Sequence, residues 1–146
     1  MKRILVVEDE QMLAQIIEIK LKEEQFEVSH AYDGEQAYTI LSGTDLPDLV
    51  LMDVLMPKMS GFEVLEKLQA EKKTVPTVII FSNFAQASDI QRAHELGAVD
   101  YIVKAAFSPA EILSKIKAVF AANDTTPYQG FDSLQEVLPM SEGGAK

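Results

Sequence analysis

The sequence predicts an α/β fold in which helices cover both faces of a parallel sheet. Three features indicate it: short runs of consecutive apolar residues typical of buried strands, amphipathic segments between these runs, and polar residues where the runs end. The central run is 48–53, where four apolar residues lie between two acids. Its last residue, Asp53, is expected at the carboxyl end of a central strand, where open α/β sheets place their chemistry.

Four further runs complete the predicted sheet. They are 4–7, the weaker and partly alternating 26–32, 78–81, and 101–103. A helix is predicted after each of the five runs, which favours parallel strands joined by right-handed crossovers. Two doubly wound strand orders are common, and the flavodoxin-like order 2-1-3-4-5 makes the strands that end in Asp9 and Asp53 neighbours at the switch point.

Capping signals place the predicted helices. Asp33, Ser60 and Ser108 each precede a Glu or Gln by three residues, which is the spacing of a capping box. Gly43 is expected to end the second helix, and Gly97 is expected to end a fourth helix that spans about 85–96.

Composition limits the function classes. The 146 residues suit one domain, predicted over 1–122, followed by a tail over 123–146 that could form one short helical turn from Asp132 to Leu138. The net charge of −10 argues against nucleic acid as a partner. The chain has no cysteine, so thiol catalysis and disulfides are excluded. Without a signal-peptide core or a membrane-length apolar run, the expected location is the cytoplasm.

The predicted strand ends gather chemically useful side chains at one edge of the sheet. Glu8, Asp9 and Asp53 converge there, with Ser82 and Lys104 alongside. Three carboxylates repel one another, so a lysine or a hard divalent cation such as Mg²⁺ is expected to offset them. Carboxylate, Mg²⁺, hydroxyl and lysine together suit phosphoryl transfer, and a carboxylate can itself be the nucleophile that forms an aspartyl phosphate.

Structural interpretations of the same residues remain open. Asp53 alone could cap a turn, and Glu8 and Asp9 could be first-turn acids that the helix dipole stabilises. Ser82 could be a cap, and Lys104 could be solvated. Nucleotide binding fits poorly because neither a Gly-x-Gly-x-x-Gly segment nor a P-loop is present.

Four motifs in this order resemble the receiver domain of bacterial response regulators. They are the segment 4–10, Asp53 with Met56, Pro57 and Gly61, then Ser82, and the segment 97–104. The resemblance covers residues 1 to about 122 and implies a flavodoxin-like (βα)5 fold. It also implies a phosphoacceptor that promotes its own phosphorylation and dephosphorylation, and not a turnover enzyme on an external substrate.

The resemblance assigns a role to each site residue. Asp53 looks like the phosphoryl acceptor, and Asp9 would ligate Mg²⁺ directly while Glu8 acts through water. The backbone carbonyl of Leu55 would complete the protein ligands. Ser82 would bond a phosphoryl oxygen after transfer.

The resemblance also assigns roles to a lysine and to an aromatic residue. Lys104 would hold another phosphoryl oxygen, and Tyr101 occupies the aromatic switch position that works with Ser82. The chain departs from the family at Asn83, where alanine is frequent, and at Ala105, where proline is usual. A cis bond before a non-proline residue costs about 3 kcal/mol, so we expect a trans bond between Lys104 and Ala105.

The resemblance also implies partners. A histidine kinase or histidine phosphotransfer protein would donate the phosphoryl group, and a downstream protein target would read a changed α4–β5–α5 surface. The expected plan is a stand-alone receiver with no membrane or nucleic-acid partner, and a phosphorylation-dependent homodimer is an option. The alternatives are an aspartyl-phosphate-forming hydrolase of the haloacid dehalogenase type and an unphosphorylated interaction module on the same fold.

Overall fold

The computed structural model describes residues 1–122 and 124–131. These residues form a five-stranded sheet in the order β2-β1-β3-β4-β5, in which every neighbouring pair is parallel. The predicted doubly wound fold and strand order are therefore confirmed. The strands are β1 (Arg3–Val7), β2 (Glu27–Ala31), β3 (Leu49–Met52), β4 (Thr77–Ser82) and β5 (Asp100–Val103).

Five α-helices alternate with the strands in the part of the chain that the structure describes. They are α1 (Gln11–Glu23), α2 (Gly34–Leu41), α3 (Gly61–Ala70), α4 (Ala87–Glu95) and α5 (Pro109–Ala121), and one turn of 3₁₀ helix, Lys104–Ala106, precedes α5. None of these helices has the length and apolar character needed to cross a membrane.

The predicted capping signals act at the helix starts. Ser60 and Ser108 form complete capping boxes with Glu63 and Glu111, and Asp33 accepts a hydrogen bond from the Gln36 backbone N–H. Helix α4 begins two residues later than expected, at Ala87, because the Asp89 carboxylate accepts a hydrogen bond from the Gln86 backbone N–H, which makes Gln86 the N-cap.

Two apolar layers hold the sheet, one on each face. Strand β3 is completely buried, and its side chains alternate between the layer that contains Phe62 and Leu68 and the layer that contains Ile17 and Ile116. Burial on both faces explains why β3 has a continuous apolar sequence instead of an alternating one.

The register of β1 and β3 positions the strand ends. Val7 is level with Met52, so the residues that follow them emerge side by side at the carboxyl edge. The Asp53 backbone N–H donates to the Val7 carbonyl at 3.0 Å, which extends the pairing to the first residue beyond β3.

The predicted helical turn from Asp132 to Leu138 lies outside the described residues. The division into a domain over 1–122 and a tail stays a prediction. The 124–131 segment has a described position, and it lies against the start of β5.

Candidate functional site

An acidic cluster lies where β1 and β3 end. Oxygen atoms of Glu8, Asp9 and Asp53 all lie within 4.8 Å of one another. Glu8 is 1% exposed and Asp53 is 4% exposed, whereas Asp9 is exposed to solvent. The structure thus brings together the three acids that the sequence predicted, in a cluster that opens to solvent on the Asp9 side.

Lys104 bridges the two buried acids of this cluster. Its Nζ atom lies 2.8 Å from Asp53 Oδ2, to which it donates a hydrogen bond, and 2.7 Å from Glu8 Oε1. The contact with Glu8 is an ion pair that lacks the angles of a hydrogen bond. Lys104 reaches the site from the end of β5 and passes 5.3 Å from the ring centroid of Phe81.

Burial and charge shift two pKa values in the site. Burial raises the pKa of Glu8 above its ordinary value, the negative charge of Asp53 adds to this effect, and the contact with Lys104 opposes it. For Lys104, burial alone would lower the pKa, but the contacts with Asp53 and Glu8 outweigh burial and hold the pKa above its ordinary value. The lysine is therefore a fixed positive charge at neutral pH.

The cluster fits a hard divalent cation. Three carboxylates and one ammonium carry a net charge of about −2 when all are ionised, and close carboxylate oxygens are the ligands that Mg²⁺ prefers. Glu8, Asp9 and Asp53 are the residues that would hold it. Leu55 lies in the loop after β3 and is 57% exposed, and the role of its carbonyl as a ligand remains a prediction.

The backbone around Asp53 is tightly fixed. The Val54 N–H donates to Asp53 Oδ1 at 2.7 Å, so both carboxylate oxygens have donors. A Cβ atom at Gly61 would lie 2.2 Å from the Asp53 carbonyl oxygen, and therefore only glycine allows α3 to start so close to the site. This contact accounts for the Gly61 in the motif.

Ser82 and Tyr101 both form hydrogen bonds with Phe84, which lies in the loop after β4. Ser82 is buried at the end of β4, and its Oγ accepts a hydrogen bond from the Phe84 N–H at 3.0 Å. Tyr101 is fully buried, and its hydroxyl donates to the Phe84 carbonyl. Burial raises the pKa of the Tyr101 phenol far above its ordinary value. The inward position of Tyr101 is thus the one that the structure describes, and the role of both residues in switching remains a prediction.

The two departures from the family motif contact each other. The Asn83 Oδ1 atom accepts a hydrogen bond at 2.8 Å from the Ala105 N–H, a group that proline lacks. The bond between Lys104 and Ala105 is trans, as predicted. The sequence drew attention to both residues separately, but nothing in it indicated that they are partners.

Asp100 was not predicted as a site residue. Its carboxylate is fully buried, yet it accepts hydrogen bonds from the Tyr101 N–H at 2.7 Å and the Phe131 N–H at 2.8 Å, and Lys115 Nζ lies 3.3 Å away. The Tyr128 hydroxyl also donates to it. The signal in the sequence was an acid directly before an apolar strand, which is weak because such acids are common in turns.

Comparison with known proteins decides the family. The model of the response regulator receiver domain family matches residues 4–117. The chain belongs to this family. Receiver domains are signalling phosphoacceptors of two-component systems, and the acidic cluster is compatible with the Mg²⁺ that they generally use.

Individual relatives agree with this assignment. A protein of Cyanophora paradoxa described as probable transcriptional regulator ycf27 is 40% identical over 118 residues, which cover 81% of this chain and 48% of that protein. The alkaline phosphatase synthesis transcriptional regulatory protein PhoP of Bacillus subtilis is 33% identical over 123 residues, which cover 84% of this chain and 50% of PhoP. The chain spans about half the length of the curated relatives it matches.

The receiver fold is also found in solved structures. A CheY-like response regulator receiver domain from Methanospirillum hungatei has a TM-score of 0.74 and 27% identity, covering 83% of this chain and 94% of that one. The flavodoxin-like (βα)5 architecture is therefore shared with known receiver domains.

Proposed function

We propose that this receiver domain accepts a phosphoryl group on Asp53 from a phosphohistidine protein. The observation that carries the proposal is the position of Asp53, which is 4% exposed between the ammonium of Lys104 and the carboxylates of Glu8 and Asp9. A carboxylate oxygen of Asp53 attacks phosphorus, the nitrogen–phosphorus bond breaks, and the imidazole leaves with that electron pair. The product is an acyl phosphate.

The contacts of Asp53 and Lys104 support phosphoryl transfer to Asp53. Val54 donates to Oδ1 and Lys104 donates to Oδ2, so the Asp53 carboxylate is held in one orientation beside Glu8 and Asp9. Mg²⁺ held by Glu8, Asp9 and Asp53 would neutralise charge on the transferring phosphoryl oxygens. Lys104 would exchange its contact with Asp53 for one with a phosphoryl oxygen, as a mobile ammonium can.

The same site would return to its free form with water. Attack of water on the acyl phosphate releases inorganic phosphate and restores the Asp53 carboxylate. We infer that the domain promotes both of these steps on itself and does not turn over an external substrate. Membership of the receiver family favours this function over a hydrolase of the haloacid dehalogenase type.

Exposed apolar side chains around the acidic cluster suit a protein donor. Met12 at the start of α1 is 75% exposed, Leu55 after β3 is 57% exposed, and Phe84 after β4 is 43% exposed. All three follow strands whose carboxyl ends form the edge that carries the acids, which puts them on the same side of the sheet as the site. We infer that a histidine kinase or a histidine phosphotransfer protein docks there, in the cytoplasm.

The proposed output is a change at the α4–β5–α5 surface, to which a downstream protein or a second copy would bind. Ser82 and Tyr101 support this because both contact Phe84, in the loop between the site and α4. The net charge of −10 argues against nucleic acid as a partner of this domain.

Transfer from a phosphorylated histidine protein tests the donor class. Purified histidine phosphotransfer domains and histidine kinases, labelled on histidine, are mixed with wild type, Asp53→Asn and Met12→Asp. Wild type should take the label and Asp53→Asn should not, while Met12→Asp should slow the transfer because it places a charge on the apolar surface. Equal transfer to wild type and Asp53→Asn would overturn the assignment of Asp53 as the acceptor. Equal transfer rates for wild type and Met12→Asp would contradict the proposed docking surface.

A further inference from the structure

The 124–131 segment forms a second set of specific contacts, at the opposite end of β5 from Lys104. The Phe131 ring lies edge-on to His94 of α4, with 5.2 Å between ring centroids and an interplanar angle of 66°. The Phe131 N–H and the Tyr128 hydroxyl donate to the two carboxylate oxygens of Asp100. The segment therefore joins α4 and the start of β5.

Close packing of the backbone accompanies these contacts. A Cβ atom at Gly130 would lie 1.7 Å from the Val99 carbonyl oxygen, so glycine is required for the segment to approach this closely. Lys115 of α5 contacts the same Asp100 oxygen as Tyr128 does. We name the surface formed by His94, Val99, Asp100 and Lys115 the β5 dock.

The buried charge of Asp100 makes this docking specific. A fully buried carboxylate requires several donors, because an unpaired buried charge is strongly destabilising. Two of the donors that Asp100 has come from the 124–131 segment. If the segment left, Asp100 would keep only the Tyr101 N–H and Lys115 among these contacts, so it would need water or a replacement ligand.

A series of hydrogen bonds through Phe84 and Tyr101 connects the dock with Ser82, the residue expected to bind a phosphoryl oxygen. Ser82 accepts from the Phe84 N–H, and the Phe84 carbonyl accepts from the Tyr101 hydroxyl. The Tyr101 N–H then donates to Asp100 Oδ1, the same oxygen that accepts from the Phe131 N–H. A movement of the loop after Ser82 would thus be transmitted through Tyr101 to the oxygen that anchors the segment.

We propose that the β5 dock is an intramolecular binding surface whose ligand is the 124–131 segment, and that phosphorylation of Asp53 changes its occupancy. The second half of this statement rests on the proposed function. The dock lies on the α4–β5–α5 surface, so any protein that binds over Asp100 must displace the segment first. By thermodynamic linkage, occupancy of the dock must change the affinity of the site for a phosphoryl analogue by the same factor.

Hydrogen–deuterium exchange of the full chain tests the docking itself. The probe variant is Gly130→Ala, which changes no residue of the dock, and the matched control is Gln129→Ala, an exposed neighbour. Amides of 124–131 should be protected in wild type and in Gln129→Ala, and should exchange in Gly130→Ala at the rate of a free peptide of that sequence. Equal protection in Gly130→Ala and the control would overturn the docking. Absence of protection in wild type would overturn it as well.

Beryllofluoride with Mg²⁺, as a phosphoryl analogue, tests the coupling. Exchange of 124–131 in wild type should change when the analogue binds, and Gly130→Ala should shift the affinity for the analogue by about fivefold or more relative to Gln129→Ala. If the analogue binds with unchanged exchange and equal affinities, the coupling is overturned while the proposed function stands. If Asp53 gains no phosphoryl group from any donor, the proposed function fails, and the docking result is unaffected.

Discussion

Asn83 and Ala105 are joined by a 2.8 Å hydrogen bond from the Ala105 N–H to the Asn83 side-chain oxygen. This bond links the loop after β4 to the turn that follows Lys104. Because the donor is an N–H that proline lacks, the two departures from the receiver motif form one compensating pair. The pair holds the turn beside Lys104 without a proline.

A double-mutant cycle should detect this pair. Asn83→Ala should lower the free energy of unfolding by about 1 kcal/mol in wild type, since it removes one hydrogen bond. In an Ala105→Pro background, where the donor is already absent, the same change should cost much less. Urea unfolding of the four proteins measures the coupling energy. Strictly additive effects would mean that the bond contributes nothing to stability.

Removal of one exposed acid from the cluster should separate metal binding from stability. Asp9→Ala should melt no lower than wild type in the absence of metal, because Asp9 is exposed and lies in an excess of negative charge. The variant should lose the rise in melting temperature that Mg²⁺ gives wild type. Glu10→Ala, its exposed neighbour, is the matched control and should keep that rise. A large metal-free loss in Asp9→Ala would instead favour a structural capping role.

The raised pKa of Glu8 predicts that the contribution of this residue to stability decreases as the pH rises. A carboxyl whose pKa is higher in the folded protein than in the unfolded chain contributes stability below its ordinary value of 4.5, and this contribution is lost as the pH rises through the folded pKa. Metal-free Glu8→Gln should therefore gain stability relative to wild type as the pH rises from about 4.5 to 7.

Glu18 provides a control, because its pKa is shifted in the opposite direction to that of Glu8. Its hydrogen bonds with Lys22 and His30 hold the pKa of the Glu18 carboxyl below its ordinary value, so its contribution is present at neutral pH and lost as the pH falls. Glu18→Gln should thus lose stability relative to wild type as the pH rises towards 4.5, below the range in which Glu8→Gln gains it. The effect should be small, because Glu18 is partly exposed. Melting curves at several pH values measure both, and the same slope for the two variants would contradict the assignment of their environments.

The buried phenol of Tyr101 should resist ionisation. Burial raises its pKa far above the ordinary value of 10.0, and so its contribution to stability is present at lower pH and lost in strong alkali. In spectrophotometric titrations, wild type and Tyr101→Phe should have the same phenolate absorbance until the protein unfolds. An additional phenolate in wild type before unfolding would show that Tyr101 is exposed in solution.

Sequence patterns predicted most of the fold, because burial on both faces leaves an apolar run that is easy to detect, as in 48–53. They also predicted the residues at the strand ends, since the carboxyl ends of parallel strands share one edge. The contact between Asn83 and Ala105 could not be predicted from the sequence, because it depends on the relative position of two loops. Asp100 was missed for a similar reason: apart from the Tyr101 N–H, its donors come from Lys115 and from the 124–131 segment, both distant from it in sequence.

The position of Tyr101 was also open in the sequence. A tyrosine is tolerated both buried and exposed, and only the packing of the loop around Phe84 decides which position it takes. The structure gives the inward position, so a switch through Tyr101 would require an outward movement or a shift of that loop.

Mg²⁺-dependent phosphorylation of Asp53 is the central claim, and intact-mass spectrometry with a small phosphodonor tests it most directly. Wild type, Asp53→Asn and Asp9→Ala are incubated with acetyl phosphate, each with Mg²⁺ and with a chelator. Wild type with Mg²⁺ should gain the mass of one phosphoryl group, and the gain should disappear with the chelator, with Asp53→Asn, and largely with Asp9→Ala. Equal labelling of Asp53→Asn, or no labelling of a wild type that is folded and bound to Mg²⁺, would contradict the account.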